Sequence, residues 1–85
     1  MTVKQKQIIK KVSEIINDNT FCDKCHIIRP SIEFQGTSDV SFFAYDDVGD
    51  IAHFYINFDK KLAHCQYVGL ENTYDRHDIS KWFFN

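Results

Sequence analysis

The sequence predicts an α+β fold: an N-terminal amphipathic helix, a four-stranded antiparallel β-meander and a short C-terminal helix. Three observations carry this. Apolar residues recur at helical spacing near the N-terminus. From Val40 to Val68, three short apolar runs alternate with period two and are separated by turn-forming residues. The chain closes on an aromatic cluster, Trp82-Phe83-Phe84. Its 85 residues fit one domain, residues 1–85, with a single sheet-plus-helix core.

The first helix is expected over residues 2 to 18. Ile8, Val12, Ile15 and Ile16 recur at i, i+4, i+7 and i+8, with Ile9 beside them, which makes an apolar stripe. Thr2 followed by Gln5 fits the capping box that satisfies helix-start amides reciprocally. Asn17-Asp18-Asn19 is a plausible exit. The opposite face carries Lys4, Lys6, Lys10 and Lys11. That strip is either a solvated face or a basic surface for an acidic partner or phosphate.

Thr20 to Pro30 is irregular, and Pro30 should hold Arg29 in extended geometry. Ser31 to Gln35 then alternates, with Ile32 and Phe34 on one side, and reads as the first strand. The next three strands follow from a consistency argument. Side chains alternate faces along a strand, so an acceptable register sets apolar residues against apolar residues. Placing Phe34 opposite Phe42 and Tyr45 opposite Ile51 also sets Phe42 against Phe54 and Ala44 against Ala52. Placing Asp59 opposite Leu62 sets Phe58 against Ala63, Ile56 against Cys65, Phe54 against Tyr67 and Asn57 against His64. One face then carries Val40, Phe42, Ala44, Ala52, Phe54, Ile56, Phe58, Ala63, Cys65 and Tyr67, which is a core face. The other carries Ser41, Phe43, Tyr45, Ile51, His53, Tyr55, Asn57, His64, Gln66 and Val68, which is mixed polar and aromatic. A one-residue slip would exchange the two faces.

Gly69 ends the last strand. Asp75 is expected to cap the final helix, with Asp78 in its first turn and Ile79, Trp82 and Phe83 on one side. Two placements of that helix compete. It either buries the polar-aromatic face or joins the first helix on the core side.

Composition narrows the function classes. A net charge of −2 lacks the basic excess of a general nucleic-acid binder. No apolar run approaches the length that spans a bilayer, and the N-terminus lacks a signal peptide's apolar core. A cytoplasmic location with three reduced cysteines is the expectation.

Several constellations suggest chemistry. Cys22-Asp23-Lys24-Cys25-His26 supplies a C-x-x-C pair with a following His, half of a zinc site or a haem-attachment pattern. No second ligand pair follows it in the sequence, so no cofactor is expected. His53 and His64 with Tyr55 could exchange protons as in a metal-free ribonuclease. No nucleophile elbow, phosphate loop or dinucleotide-binding glycine pattern is present, so the chain is not expected to be an enzyme. Asp46, Asp47 and Asp50 place three carboxylates in one turn, an acidic prong for a basic partner.

The reading that results is a small non-catalytic protein-binding module, in its most specific form an inhibitor or immunity-type protein that occludes a partner's basic site. The partner is another protein, in the specific form a nucleic-acid-processing enzyme, with neither nucleic acid nor membrane bound directly; a homodimer through the sheet is also open. The candidate binding residues are Phe43, Tyr45, Asp46, Asp47, Asp50, His53, Tyr55, Asn57, His64 and Gln66. The alternatives are a zinc-binding regulator using Cys22, Cys25 and His26, and a ribonuclease using His53 and His64.

Overall fold

Thr2 and Gln5 start the first helix, α1 (Val3–Asn19), as the capping box requires. In the computed structural model, the Thr2 amide donates to Gln5 Oε1 at 2.9 Å and the Gln5 amide donates to Thr2 Oγ1 at 3.1 Å. The structure describes residues 1–19, 25–36, 38–68 and 76–84. At the far end Asn19 Nδ2 donates to the Ile15 carbonyl, which satisfies one of the orphan acceptors of a helix terminus. Ile9, Val12 and Ile16 are buried, and Ile8 packs half-buried beside them.

After α1 come β1 (His26–Ile27), a 3-10 turn (Arg29–Ser31), β2 (Glu33–Gln35), β3 (Asp39–Tyr45), β4 (Ile51–Asn57), β5 (Leu62–Val68), β6 (Arg76–Asp78) and α2 (Ser80–Phe83). All strand pairs are antiparallel. The fold is α+β as expected, but among the described residues its sheet has six strands rather than four. The order is β1-β3-β4-β5-β6, with β2 sharing the β3 edge with β1.

The two additional strands are β1 and β6. Each is too short for alternation to reveal, and Arg76-His77-Asp78 contains no apolar residue at all. Between β1 and β2 the chain makes a 3-10 turn, so Arg29 is not extended. Ser31 and Ile32 donate amides back to the Ile28 and Arg29 carbonyls. The Ser31 hydroxyl takes the Phe43 amide at 2.8 Å and reaches the Ile28 carbonyl at 2.5 Å. A serine side chain thus fills the gap in the ladder where the edge strand is interrupted.

The β3–β4 register is the expected one, with Tyr45 opposite Ile51, Phe42 opposite Phe54 and Ala44 opposite Ala52. Two other registers are offset by two residues from expectation. Phe34 lies opposite Val40, not Phe42. Leu62 lies opposite Asn57, which puts Cys65 against Phe54 and His64 against Tyr55. The cause of the second offset is the turn itself. Asn57 Oδ1 accepts the Lys60 amide at 2.9 Å, and Lys61 adopts a left-handed φ of 55°, so Phe58 to Lys61 form a four-residue loop. Because both offsets are even, every residue keeps its face.

The core lies between that face and the two helices. Val40, Phe42, Ala44, Ala52, Phe54, Ile56, Ala63 and Cys65 are buried there with Ile9, Val12, Ile16 and Ile79. Phe42 and Phe54 stack at 5.3 Å between centroids. Burying a side chain of this size contributes about 1.5–3 kcal/mol.

The final helix begins at Ser80, and Asp75, its expected cap, lies outside the described residues. Asp78 belongs to β6, where it accepts the Ser80 amide at 2.9 Å. The Ile79 amide donates to the Ala63 carbonyl, and Ser80 Oγ accepts the Ala63 amide. These bonds stitch the start of α2 to β5. Trp82, Phe83 and Phe84 pack half-buried against the same cluster as α1. Both helices therefore stand on one side of the sheet. Among the described residues, no helix is long and apolar enough to cross a membrane.

Candidate protein-binding face

The second face of the sheet carries no helix among the described residues. Its side chains form rows across the strands, read from the registers. His26, Tyr45, Ile51 and Val68 make one row. Phe43, His53, Gln66 and Arg76 make the next. Glu33, Ser41, Tyr55, His64 and Asp78 make the third, and Gln35, Asp39, Asn57 and Leu62 the fourth.

Directly opposed side chains on neighbouring strands approach closely enough for rings to meet. Three histidines use that geometry. His26 stacks on Tyr45 at 5.0 Å, His64 stacks on Tyr55 at 5.0 Å, and His53 meets Phe43 at 4.8 Å with the planes tilted by 55°. Phe43 remains 36% exposed, Tyr45 44% and Ile51 40%. A platform of six rings faces outward with apolar residues at one end.

Hydrogen bonds brace part of it. The Tyr55 hydroxyl donates to Asp39 Oδ2 at 2.6 Å and receives Asn57 Nδ2 at 3.2 Å. The bond to the Asp39 carboxylate raises the Tyr55 pKa, because ionisation would set one anion beside another. The His64 pKa is lowered, first by partial burial and then by the charges of Arg76 and His53, while Asp78 opposes the shift. His64 is therefore biased toward the neutral imidazole.

The candidate residues divide on inspection of the geometry. Phe43, Tyr45, His53, Tyr55, His64 and Gln66 all lie on the open face. Asn57 is 9% exposed and is occupied by the turn and by Tyr55, so it braces the face rather than presenting itself. The acidic prong is not built as expected. Asp46 is 7% exposed, and its Oδ1 accepts the amides of Val48 and Asp50, closing the β3–β4 loop. Asp46 and Asp50 both line a hollow on the helix side of the sheet. Only Asp47 reaches the open face, 3.7 Å from His26. The carboxylates that do stand in the rows are Glu33, Asp39 and Asp78, with Arg76 as the one guanidinium; Lys60 and Lys61 stand in the turn beyond.

His26, Arg76 and Asp78 are members of this face that sequence reasoning missed. Their strands are too short to announce themselves. The ring contact of His26 depends on a two-residue pairing with Tyr45 and Ala44.

Two of the three residues of the zinc reading can be placed. Cys22 lies outside the described residues. Cys25 packs toward the core while His26 stands on the open face, so the two side chains diverge. Cys65 is buried and opposite His77, and burial followed by the nearby Cys25 pushes its pKa up to about 11. Among the described residues, no group of three or more His, Cys, Asp or Glu side chains could hold a metal ion. For the ribonuclease reading, His53 and His64 share a face but stand diagonally, opposite Gln66 and Tyr55.

Comparison with protein families, with curated proteins and with solved structures returns no match.

Proposed function

We propose that this chain is a small non-catalytic protein-binding module that engages a partner through the open sheet face. The observation that carries this reading is the placement of both helices on one side of the sheet, which leaves three histidine–aromatic pairs uncovered by any helix among the described residues. Aromatic residues dominate the energetic centres of protein interfaces, and soluble proteins rarely leave such patches without use. Two aromatic rings in adjacent rows with carboxylates around them suit Arg and Lys side chains, which gain from ring faces and from opposite charge together. The partner surface is accordingly basic. An inhibitor or immunity-type protein that covers the basic site of a nucleic-acid-processing enzyme is the most specific form of the proposal. A second copy of this chain fits less well, since it would bring the carboxylates of Glu33, Asp39 and Asp78 against a face with the same excess.

The test compares wild type with Phe43→Ala/His53→Ala in partner capture from the native host. Both side chains are on the open side, so folding should survive. We expect capture to fall by about tenfold or more, the usual scale for a truncated interface anchor. Unchanged capture by a folded variant would sink the surface assignment.

A further inference from the structure

The protein carries a second polar surface, at the seam between α1 and the β1 edge. A groove of about 910 Å³ runs there, lined by Lys6, Ile9 and Lys10 from α1 and by His26, Ile27, Arg29 and Tyr45 from the sheet side. Lys6 and Lys10 are one helical turn apart, about 5.4–6 Å. None of these three cations is paired with a carboxylate among the described residues. That is informative in a chain with more acidic than basic residues. Chance would scatter the cations among the acids; here three of them line one concavity. Asp18 also lines the groove, eight residues and so about 12 Å of helix from Lys10. Among the described residues it leaves the Lys6–Lys10–Arg29 end positive.

We infer that this end of the groove binds a phosphate-bearing small molecule. Three cations from the two sides match a compact dianion better than carboxylates strung along a chain. Arg29 offers a planar fork for two oxygens, and the lysines offer point charges. Ile9, Ile27 and the Tyr45 ring give an organic body something to rest on. The β1 edge argues against an acidic peptide adding as a strand, because β1 has two residues and is followed by the Pro30 turn. The Lys6–Lys10–Arg29 end is distinct from the proposed partner-binding face, although His26 and Tyr45 border both.

The test is an amide-shift titration of the isotope-labelled full chain at low ionic strength with inorganic phosphate and, separately, with adenosine monophosphate. The result expected is saturable shifts centred on Lys6, Lys10 and Arg29. Tighter binding of the nucleotide assigns part of the site to Ile9, Ile27 and Tyr45; equal binding assigns it to the anion alone. Lys6→Gln/Lys10→Gln and Arg29→Gln should each weaken binding by about fivefold or more, whereas Lys60→Gln/Lys61→Gln, an equal loss of charge elsewhere, should change it by less than about twofold. These positions are exposed, so the spectrum of each variant should report an intact fold. Non-saturating shifts, shifts spread over all lysines, or an equal loss in the control pair would overturn the inference. Tighter binding of hexaglutamate than of either phosphate would also overturn it and reassign the groove to protein.

Discussion

Replacing Asn57 with Ala isolates the device that sets the β4–β5 pairing. Asn57 ends β4, is nearly buried, and makes two side-chain bonds. Its Oδ1 takes the Lys60 amide at 2.9 Å, and its Nδ2 donates to the Tyr55 hydroxyl at 3.2 Å. A net protein hydrogen bond is worth about 0.5–1.5 kcal/mol. Lys60 is exposed, so water can replace one partner, and Tyr55 keeps its bond to Asp39. The expected cost of Asn57→Ala is therefore about 1–2 kcal/mol. With a urea dependence of about 1 kcal/mol per molar for a chain of this size, the unfolding midpoint should fall by about 1–2 M with an unchanged slope. Asn57→Asp sharpens the test. It keeps the acceptor for Lys60, loses the donor to Tyr55, and sets a carboxylate directly opposite Asp39. Its deficit should exceed that of Asn57→Ala at neutral pH and shrink as pH falls through about 4, where carboxylates take up protons. A midpoint shift under about 0.3 M for Asn57→Ala, or a pH-independent deficit for Asn57→Asp, would refute the reasoning.

Three further outcomes are expected. Lys61→Gly relieves a left-handed residue at φ 55° and, after the entropic cost of glycine, should raise stability by about 0.5 kcal/mol, or about 2–4 °C in the thermal midpoint; a lower midpoint would contradict it. His64 binds its proton less tightly folded than at its ordinary 6.5, mainly through burial, so the unfolded chain takes up more protons and wild type should lose stability relative to His64→Gln as pH falls through 6.5 and below; urea midpoints for both proteins on either side of that pH decide it, and a constant difference would count against the burial. The Cys65 thiol, pushed up to about 11 inside the core, should resist iodoacetamide in the folded protein and react in urea; peptide mapping showing rapid native labelling would contradict its placement.

Much of the sheet was legible because alternation constrains parity more tightly than it constrains partners. Val40 to Val68 divides into the same two faces whether Phe54 meets Tyr67 or Cys65, since the offset is two residues. Hydrophobic matching cannot distinguish those registers; the turn decides, through the Asn57 carboxamide and the backbone of Lys61. Helix α1 was legible from its stripe and its Thr2–Gln5 box. β1 and β6 were not, since two or three residues carry no period and their pairing is purely tertiary. The site was legible in part. Phe43, Tyr45, His53, Tyr55 and His64 share the open face as their alternation required. By composition the three turn aspartates form a charge cluster, whereas alternation carried one residue past Tyr45 or before Ile51 already puts Asp46 and Asp50 on the helix side. A polar residue next to a strand end inherits that strand's parity, and net charge says nothing about which face it serves.

The same parity explains why one sheet face stays open. Trp82, Phe83 and Phe84 contain enough apolar surface to cover the histidine–aromatic platform, and covering it would leave nothing to present. Their side is decided in β6. His77 lies opposite Cys65, on the core side, so Arg76 and Asp78 point to the open face and Ile79 returns to the core. The bonds between Ala63 and the Ile79–Ser80 pair then start α2 on that side. A slip of one residue in this three-residue pairing would invert the arrangement and lay the aromatic helix over Phe43 and Tyr55. Ser80, which bonds both Asp78 and Ala63, thus holds the choice between a closed sheet and an open one. Its energetic weight falls on the orientation of α2 more than on the core, and the exposure of Phe43 and Tyr45 depends on it although neither touches it.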